Sequence, residues 1–199
     1  MKYYAVLDFE CTCDGEWEFP NEIIEFPVLF LHPKTLETEF VFRRFVRPTE
    51  NPVILPYCTE LTGIQQSDVD EACELETVLE EFQDFLDENE LDILLVTDGP
   101  WDVEKFLVRE CRRKGLPLPR WCLKWLDIRR RFQNAMSLDK WLNIEGMLCT
   151  LGMEFDGRQH SGIDDARNIS RILKELLTRG HKATRANRRV TVLADDSIA

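Results

Sequence analysis

The segment Tyr3-Tyr4-Ala5-Val6-Leu7-Asp8-Phe9-Glu10 sets the tightest limit on the fold. It is short and apolar on both alternating faces, so as a strand it has no side to offer to water. A strand of that kind belongs at the centre of a sheet that is covered above and below. Helices must supply the cover, which makes the chain a layered α/β protein. Its 199 residues suit one domain with a full core and argue against two.

The rest of the chain fits that plan. Ile23 to Leu31 and Phe40 to Val46 read as the next two strands, joined by a turn around His32-Pro33-Lys34. Pro27 inside the first of them implies a bulge or an edge position. After Pro56 come two short helical pieces interrupted at Thr62-Gly63. Leu75, Val78, Leu79, Phe82, Phe85 and Leu86 keep helical spacing and predict an amphipathic helix. Leu91 to Thr97 reads as a buried strand ended by Asp98-Gly99-Pro100. Val103, Phe106, Leu107 and Cys111 mark another helix, and Trp125 to Ile128 a last strand. In the final helix Ile169, Ile172, Leu173, Leu176 and Leu177 form the buried stripe. Ser161 and Asp164 fit a capping box there, and Gly180 a stop. The expected domain covers residues 1–182, followed by a basic then acidic tail over 183–199.

Charge and cysteine content narrow the function classes. No apolar run approaches the roughly 18 residues that span a bilayer, and none follows a basic leader, so neither membrane nor secretion is expected. Seven cysteines, an odd number without zinc-type pairing, fit reduced thiols and an intracellular setting, cytoplasmic or nuclear. The net charge of −12 argues at first against a nucleic-acid partner. The halves are opposites, however. Residues 1–100 hold 5 basic and 24 acidic residues, and residues 101–199 hold 20 and 13. An anionic partner can therefore approach from one side. Arg109, Arg112, Arg113, Lys114, Arg120, Lys124, Arg129, Arg130 and Arg131 lie near Trp121, Trp125 and Phe132. That composition suits a grip on single-stranded nucleic acid, or equally a solvated helix face over core tryptophans. Arg179 to Arg189 is a second basic run.

Four carboxylates and one histidine from distant segments form the candidate site. Asp8 and Glu10 stand two apart on a strand, so both project from one face. Side by side at the end of a buried strand they repel each other and are costly to desolvate, and a divalent cation relieves both costs. The other reading ends the strand at Leu7 and sends both acids into a solvated loop. Asp165 favours the first, because it sits on the core-facing stripe of the last helix, at its first turn. His160 stands just before that helix, within reach of a water near Asp165. Asp102 follows a strand end, either as a fourth acid of a cage or as an ordinary helix-start residue. Oxygen-only ligands favour Mg²⁺ or Mn²⁺ over Zn²⁺, and a pair of such ions suits in-line phosphoryl displacement.

Asp8-Phe9-Glu10, Asp102 and His160-Ser161-Gly162-Ile163-Asp164-Asp165 together resemble the three motifs of the DEDDh 3′–5′ exonucleases. Glu22-Ile23-Ile24-Glu25-Phe26-Pro27, Cys58-Thr59-Glu60-Leu61-Thr62-Gly63-Ile64 and Thr97-Asp98-Gly99-x-Trp101-Asp102 narrow the resemblance to the enhanced-RNAi exoribonucleases, over about residues 3 to 180. The resemblance implies a ribonuclease-H-like mixed sheet of five strands flanked by helices, the second strand antiparallel to the others. It implies a two-metal 3′–5′ exoribonuclease that releases nucleoside 5′-monophosphates in RNA processing or small-RNA turnover. Asp8 would touch both Mg²⁺ ions, Glu10 and Asp165 the water-activating one and Asp102 the other, with His160 the general base. Phe9, Cys11, Thr12, Leu61, Thr62 and Trp101 would surround the terminal nucleotide, although Leu61 and Trp101 also fit plain core packing. The partner would be an RNA 3′ end, single-stranded or a short overhang, brought by a delivery protein the sequence does not identify.

Two departures stand out. Cys11 replaces the Ala usual after Glu10 in that branch, giving Cys11-Thr12-Cys13. It is either a small lining residue or half of a soft-metal pair without partner ligands. The helical module by which some relatives grip RNA stem-loops has no room here, so stem-loop selectivity is not carried over. Two rivals remain: a DNA-directed exonuclease of the same chemistry, and a silent nucleic-acid-binding adaptor. The full set of five site residues argues against the adaptor.

Overall fold

The computed structural model describes residues 2–16 and 19–199. The sheet begins with β1 (Tyr3–Leu7), β2 (Glu10–Cys11), β3 (Ile23–Leu31) and β4 (Thr38–Phe45). Helices α1 (Pro56–Thr62), α2 (Gln66–Val69) and α3 (Leu75–Glu88) precede β5 (Ile93–Thr97). A wide-turned π-helical stretch, Trp101–Leu107, runs into α4 (Val108–Lys114), and a short 3₁₀ turn leads to β6 (Lys124–Asp127). Helices α5 (Ile128–Met136), α6 (Ile144–Thr150) and α7 (Gly162–Thr178) follow, and β7 (Arg188–Arg189) closes the order.

β1 lies between β3, antiparallel to it, and β5, parallel to it. Its alternation explains why it is central. Ala5 and Leu7 enter one core with Phe26, Phe30, Phe82 and Trp125, while Tyr4 and Val6 enter the other with Ile169, Leu173 and Leu176. The expected mixed α/β sheet flanked by helices is what the chain forms. Its five longer strands are β1, β3, β4, β5 and β6, with β3 the antiparallel one. Two-residue strands β2 and β7 extend it to seven. Neither is long enough to show a period in the sequence, so Trp125 to Ile128 is not the last strand.

Three further expectations need correction. Pro27 occupies neither an edge nor a bulge: β3 is internal and buried throughout. Pairing with β1 ends at Leu7↔Val28 and resumes with β2 at Glu10↔Glu25, so Pro27 falls where that ladder is broken. The register shift on the β4 side is at Phe30/Leu31 instead. The helix expected from Val103 to Cys111 starts with π turns, and Val108 N–H reaches back five residues to the Val103 carbonyl. Ser161 is the N-cap of α7, but its side chain caps no backbone N–H. Asp164 accepts instead from the Arg158 N–H at 3.1 Å and pairs with Arg167.

Residues 183–199 run along the domain. Ala183 and Val190 are buried, Arg188 pairs with Asp127 at 2.9 Å, and Asp196 pairs with Arg112 at 2.7 Å. No helix among the described residues is long and apolar enough to cross a membrane.

Gly162 lets α7 abut the end of β1. A Cβ built there would lie 2.5 Å from the Asp8 carbonyl oxygen and 3.0 Å from Pro27 Cγ. Helix propensity alone favours alanine over glycine by about 0.5–1 kcal/mol. The overlap costs more, about 1–3 kcal/mol. Gly162→Ala is therefore expected to lower the denaturant midpoint, and a higher midpoint would show the contact to be slack.

Candidate metal-binding carboxylate site

Three separate elements deliver the acids. Asp8 lies just beyond β1, Glu10 lies on β2, and Asp165 occupies the first turn of α7. One ligand oxygen from each comes within 4.8 Å of the others. Glu25 on β3 fixes the α7 end of this arrangement. Its buried carboxylate accepts the Gly162 N–H and an Arg43 Nε–H at 2.7 Å. Asp102 joins from the π-helical stretch. Its Oδ1 accepts the Phe9 N–H at 2.8 Å, tying that stretch to the chain between Asp8 and Glu10. Asp102 lies outside the three-oxygen group, yet its charge is felt by both Asp8 and Glu10.

Burial dominates the electrostatics. It drives the Asp8 carboxyl well above its usual range, and Asp102, Asp165 and Glu10 add repulsion. Glu10 is raised for the same reasons, burial first and Asp165 next. Asp102 stands at about 7, raised by burial and only partly relieved by the Phe9 N–H. Asp165 also stands at about 7, raised by burial against the backbone N–H groups of His160 and Ser161. Four such groups cannot all be ionised together without a cation. Oxygen donors that bear this much unshared charge fit a hard divalent ion.

His160 is exposed on a left-handed turn, φ 58°. Arg158 secures that turn, its backbone N–H on Asp164 and its guanidinium on the Glu60 carbonyl at 2.7 Å. Two cavities meet at Asp8 and His160. One, of about 280 Å³, is lined by Phe9, Glu10, Cys11, Leu61, Thr62, Trp101 and Asp102, with Cys13 at its wall. The other, of about 220 Å³, is lined by Asn143, Ile144, Phe155, Gln159 and Asp165. The structure thus gathers the sequence-derived site residues around one cleft, with one exception. Thr12 lines neither cavity; it is buried, and its hydroxyl accepts the Glu22 N–H at 2.9 Å. Leu61 and Trp101 both face the cavity, and Trp101 is 42% exposed, so it is not core.

Sequence reasoning quoted Asp98 only within a motif and Arg129 only within the basic cluster, and gave neither a task in the site; they pair with each other and line both cavities. Nothing in one dimension links them, one following β5 and the other opening α5. Glu25 was quoted as part of a motif but given no task.

Four of the nine basic residues of the expected grip pair with acids of the protein itself. Arg112 pairs with Asp196, Arg113 with Glu50, and Lys114 with Glu22 and Glu110. Trp125 and Phe132 are core, and Trp121 packs edge-on against Phe26 and Phe82. Of that cluster, Arg129 alone borders the two cavities. In the second basic run Arg179 pairs with Glu175 and Arg188 with Asp127.

Comparison with known proteins agrees with this geometry. The exonuclease family model RNase_T matches residues 5–173. The mouse protein named 3′-5′ exoribonuclease 1 is 40% identical over 185 residues, 89% of this chain and 54% of the relative. The chain thus spans about half the length of that relative. The Schizosaccharomyces pombe protein named 3′-5′ exonuclease eri1 is 36% identical over 88% of this chain and 68% of its own. Among solved structures, the nuclease domain of 3′hExo bound to rAMP, a DEDDh family member, superposes with a TM-score of 0.90. It is 39% identical, over 95% of this chain and 98% of that one. A 3′-exonuclease solved for its recognition of the histone mRNA stem-loop also gives 0.90, at 36% identity over 100% and 73%. The carboxylate cluster, the fold that carries it and these likenesses agree: the chain belongs to the exonuclease family, in its DEDDh enhanced-RNAi branch.

Proposed function

We propose that the chain is a metal-dependent 3′–5′ exoribonuclease that removes nucleotides from RNA 3′ ends as nucleoside 5′-monophosphates. The observation that carries the reading is the meeting of Asp8, Glu10 and Asp165 at a cleft with His160 between its two cavities. Asp8, Glu10, Asp102 and Asp165 would hold two Mg²⁺ ions, for which Mn²⁺ can substitute. When bound, such ions activate a water and neutralise charge on the reacting phosphate and the leaving oxygen.

The chain's own residues do the rest. His160, placed by the Arg158-held turn, takes the proton of the attacking water. The water oxygen bonds to phosphorus, and the bond from phosphorus to the 3′ oxygen of the preceding nucleotide breaks. Phe9, Cys11, Leu61, Thr62 and Trp101 seat the terminal nucleoside against an apolar wall, which accepts any base because every base has a flat face. Thr12 supports that wall from behind through Glu22. Arg129 brings positive charge to the cleft without leaving Asp98. RNA enters as a single strand or short overhang. All seven cysteines are free thiols, which supports an intracellular, reducing setting.

Matched single-stranded RNA and DNA incubated with Mg²⁺ test the substrate. Mononucleotides are expected from RNA, and none above background from the Asp8→Ala protein. Release mainly from DNA would replace the RNA reading, and binding without release would favour an adaptor. His160→Ala should lower turnover by about 10²–10⁴-fold, the range of a lost acid–base group, with RNA affinity almost unchanged. An equal loss of affinity would make His160 a grip and not a base.

The raised carboxyls also predict how stability depends on pH. Asp102 and Asp165 stand at about 7 in the folded protein against 3.8 normally, so their protonated forms favour the fold. That benefit is complete below about pH 4 and is lost as pH rises through about 7. The melting temperature of chelator-treated protein should therefore fall from about pH 5 to about pH 8, and Mg²⁺ should raise it more at the higher pH. Equal stabilisation by Mg²⁺ at both pH values would contradict the carboxylate origin of the site.

A further inference from the structure

Cys13 has no part in the chemistry proposed above, yet it borders the same cavity. Cys13 lines the 280 Å³ cavity and packs against a small buried cluster of Ile24, Ile54, Cys58, Ile64 and Val69. Its side chain is hydrogen-bonded to that of Cys58, in the first turn of α1. Cys58 is fully buried, and its Sγ donates to the Cys11 carbonyl at 3.5 Å. Its own carbonyl accepts the Thr62 hydroxyl at 2.9 Å. Leu61 and Thr62, on the same short helix, form the cavity wall facing Cys13. One sulfur contact thus joins the two walls of the cavity.

We infer that Cys13 and Cys58 are an oxidisable thiol pair, closed to a disulfide by a peroxide that enters through the active-site cavity. Cys13 is the partly exposed member and meets the oxidant first. Its bond to Cys58 and burial push the Cys13 thiol up, so its proton leaves with the departing peroxide oxygen. The same bond brings the Cys58 thiol down to about 7 against the effect of burial, which suits Cys58 to the resolving attack. Cys13 Sγ bonds to a peroxide oxygen, the O–O bond breaks, and a water and a sulfenic acid result. Cys58 Sγ then attacks Cys13 Sγ and the hydroxyl leaves as a second water. Two electrons pass from the sulfurs to the peroxide oxygens, and both thiol protons end in water.

A covalent S–S bond of about 2.05 Å is shorter than any thiol contact, so closure draws the first turn of α1 toward Cys13. Leu61 and Thr62 move with it. A displacement of about 1 Å in groups that position a substrate costs on the order of 10²-fold in rate. Oxidation therefore switches the cavity off, and thiol reductants switch it on again. The effect on activity rests on the exonuclease reading, whereas formation of the bond does not.

The test treats the full chain with hydrogen peroxide, alkylates the remaining thiols and maps the cross-linked peptides. RNA hydrolysis is measured before and after dithiothreitol. A link from the Cys58 peptide to the Cys11–Cys13 peptide is expected, retained in Cys11→Ser and lost in Cys13→Ser. Hydrolysis should fall by about tenfold or more and return on reduction. The exposed thiols Cys73 and Cys149 gauge indiscriminate oxidation. No link, a link that survives Cys13→Ser, or a link that leaves hydrolysis of an otherwise active enzyme unchanged would each overturn the proposal. If the reduced protein does not hydrolyse RNA at all, the exonuclease reading fails, and the peptide map still decides whether the bond forms.

Discussion

Gly162 rests against the carbonyl of Asp8, where a Cβ would come within 2.5 Å, and this close approach sets the position of everything at the cleft. It brings the N-terminus of α7 to the C-terminal end of β1. Glu25 holds the approach from below by accepting the Gly162 N–H, and Arg43 compensates the charge that Glu25 buries there. A buried carboxylate left without such partners would cost several kcal/mol. With the helix seated this way, Asp165 faces Asp8 and Glu10 with no adjustable loop between them. His160 is carried to the rim by the turn that precedes the helix.

The second constraint is electrostatic. The fold assembles like charges and buries them, which works against its own stability unless something neutralises them. Part of the compensation is local: the Phe9 N–H serves Asp102, the His160 and Ser161 N–H groups serve Asp165, and Arg129 serves Asp98. At the centre of the cluster Asp8 is surrounded by acids, and of these donors the charge of Arg129 is felt there. The sheet end is thus preorganised for a cation at the cost of stability without one. This is the usual trade of stability for function at a metal site.

How much of this could be read in the sequence depended on the kind of signal. The stripe of Ile169, Ile172, Leu173 and Leu176 and the two-faced Tyr3–Leu7 segment both repeat, so periodicity located α7 and β1. Asp165 was found because an acid on an apolar stripe breaks its pattern. Glu25 is the lone charged residue of the apolar run Ile23–Leu31, but that break names no partner, and Asp98 falls in an ordinary strand-ending turn. Their tasks appear only when Gly162 and Arg129, more than thirty residues away in each case, are brought beside them. The basic segment misled for a related reason. Arg112, Arg113 and Lys114 look free in one dimension, but Asp196, Glu50, Glu22 and Glu110 meet them in three. Thr12 likewise stood in the right motif and turned its hydroxyl to Glu22.

By itself, the sequence determined the layered α/β class, the central strand, the last helix and the five residues of the candidate site. These rest on residue type and short-range spacing, which survive in one dimension. The tertiary structure decided which charges are spent on one another and which remain to face a ligand. It also decided that Cys13 meets Cys58 beside the cavity, that Thr12 is buried and lines no part of it, and that two-residue strands finish the sheet. Each of these depends on which distant segments come within a few ångströms, and the period of a single segment holds no record of what packs against it.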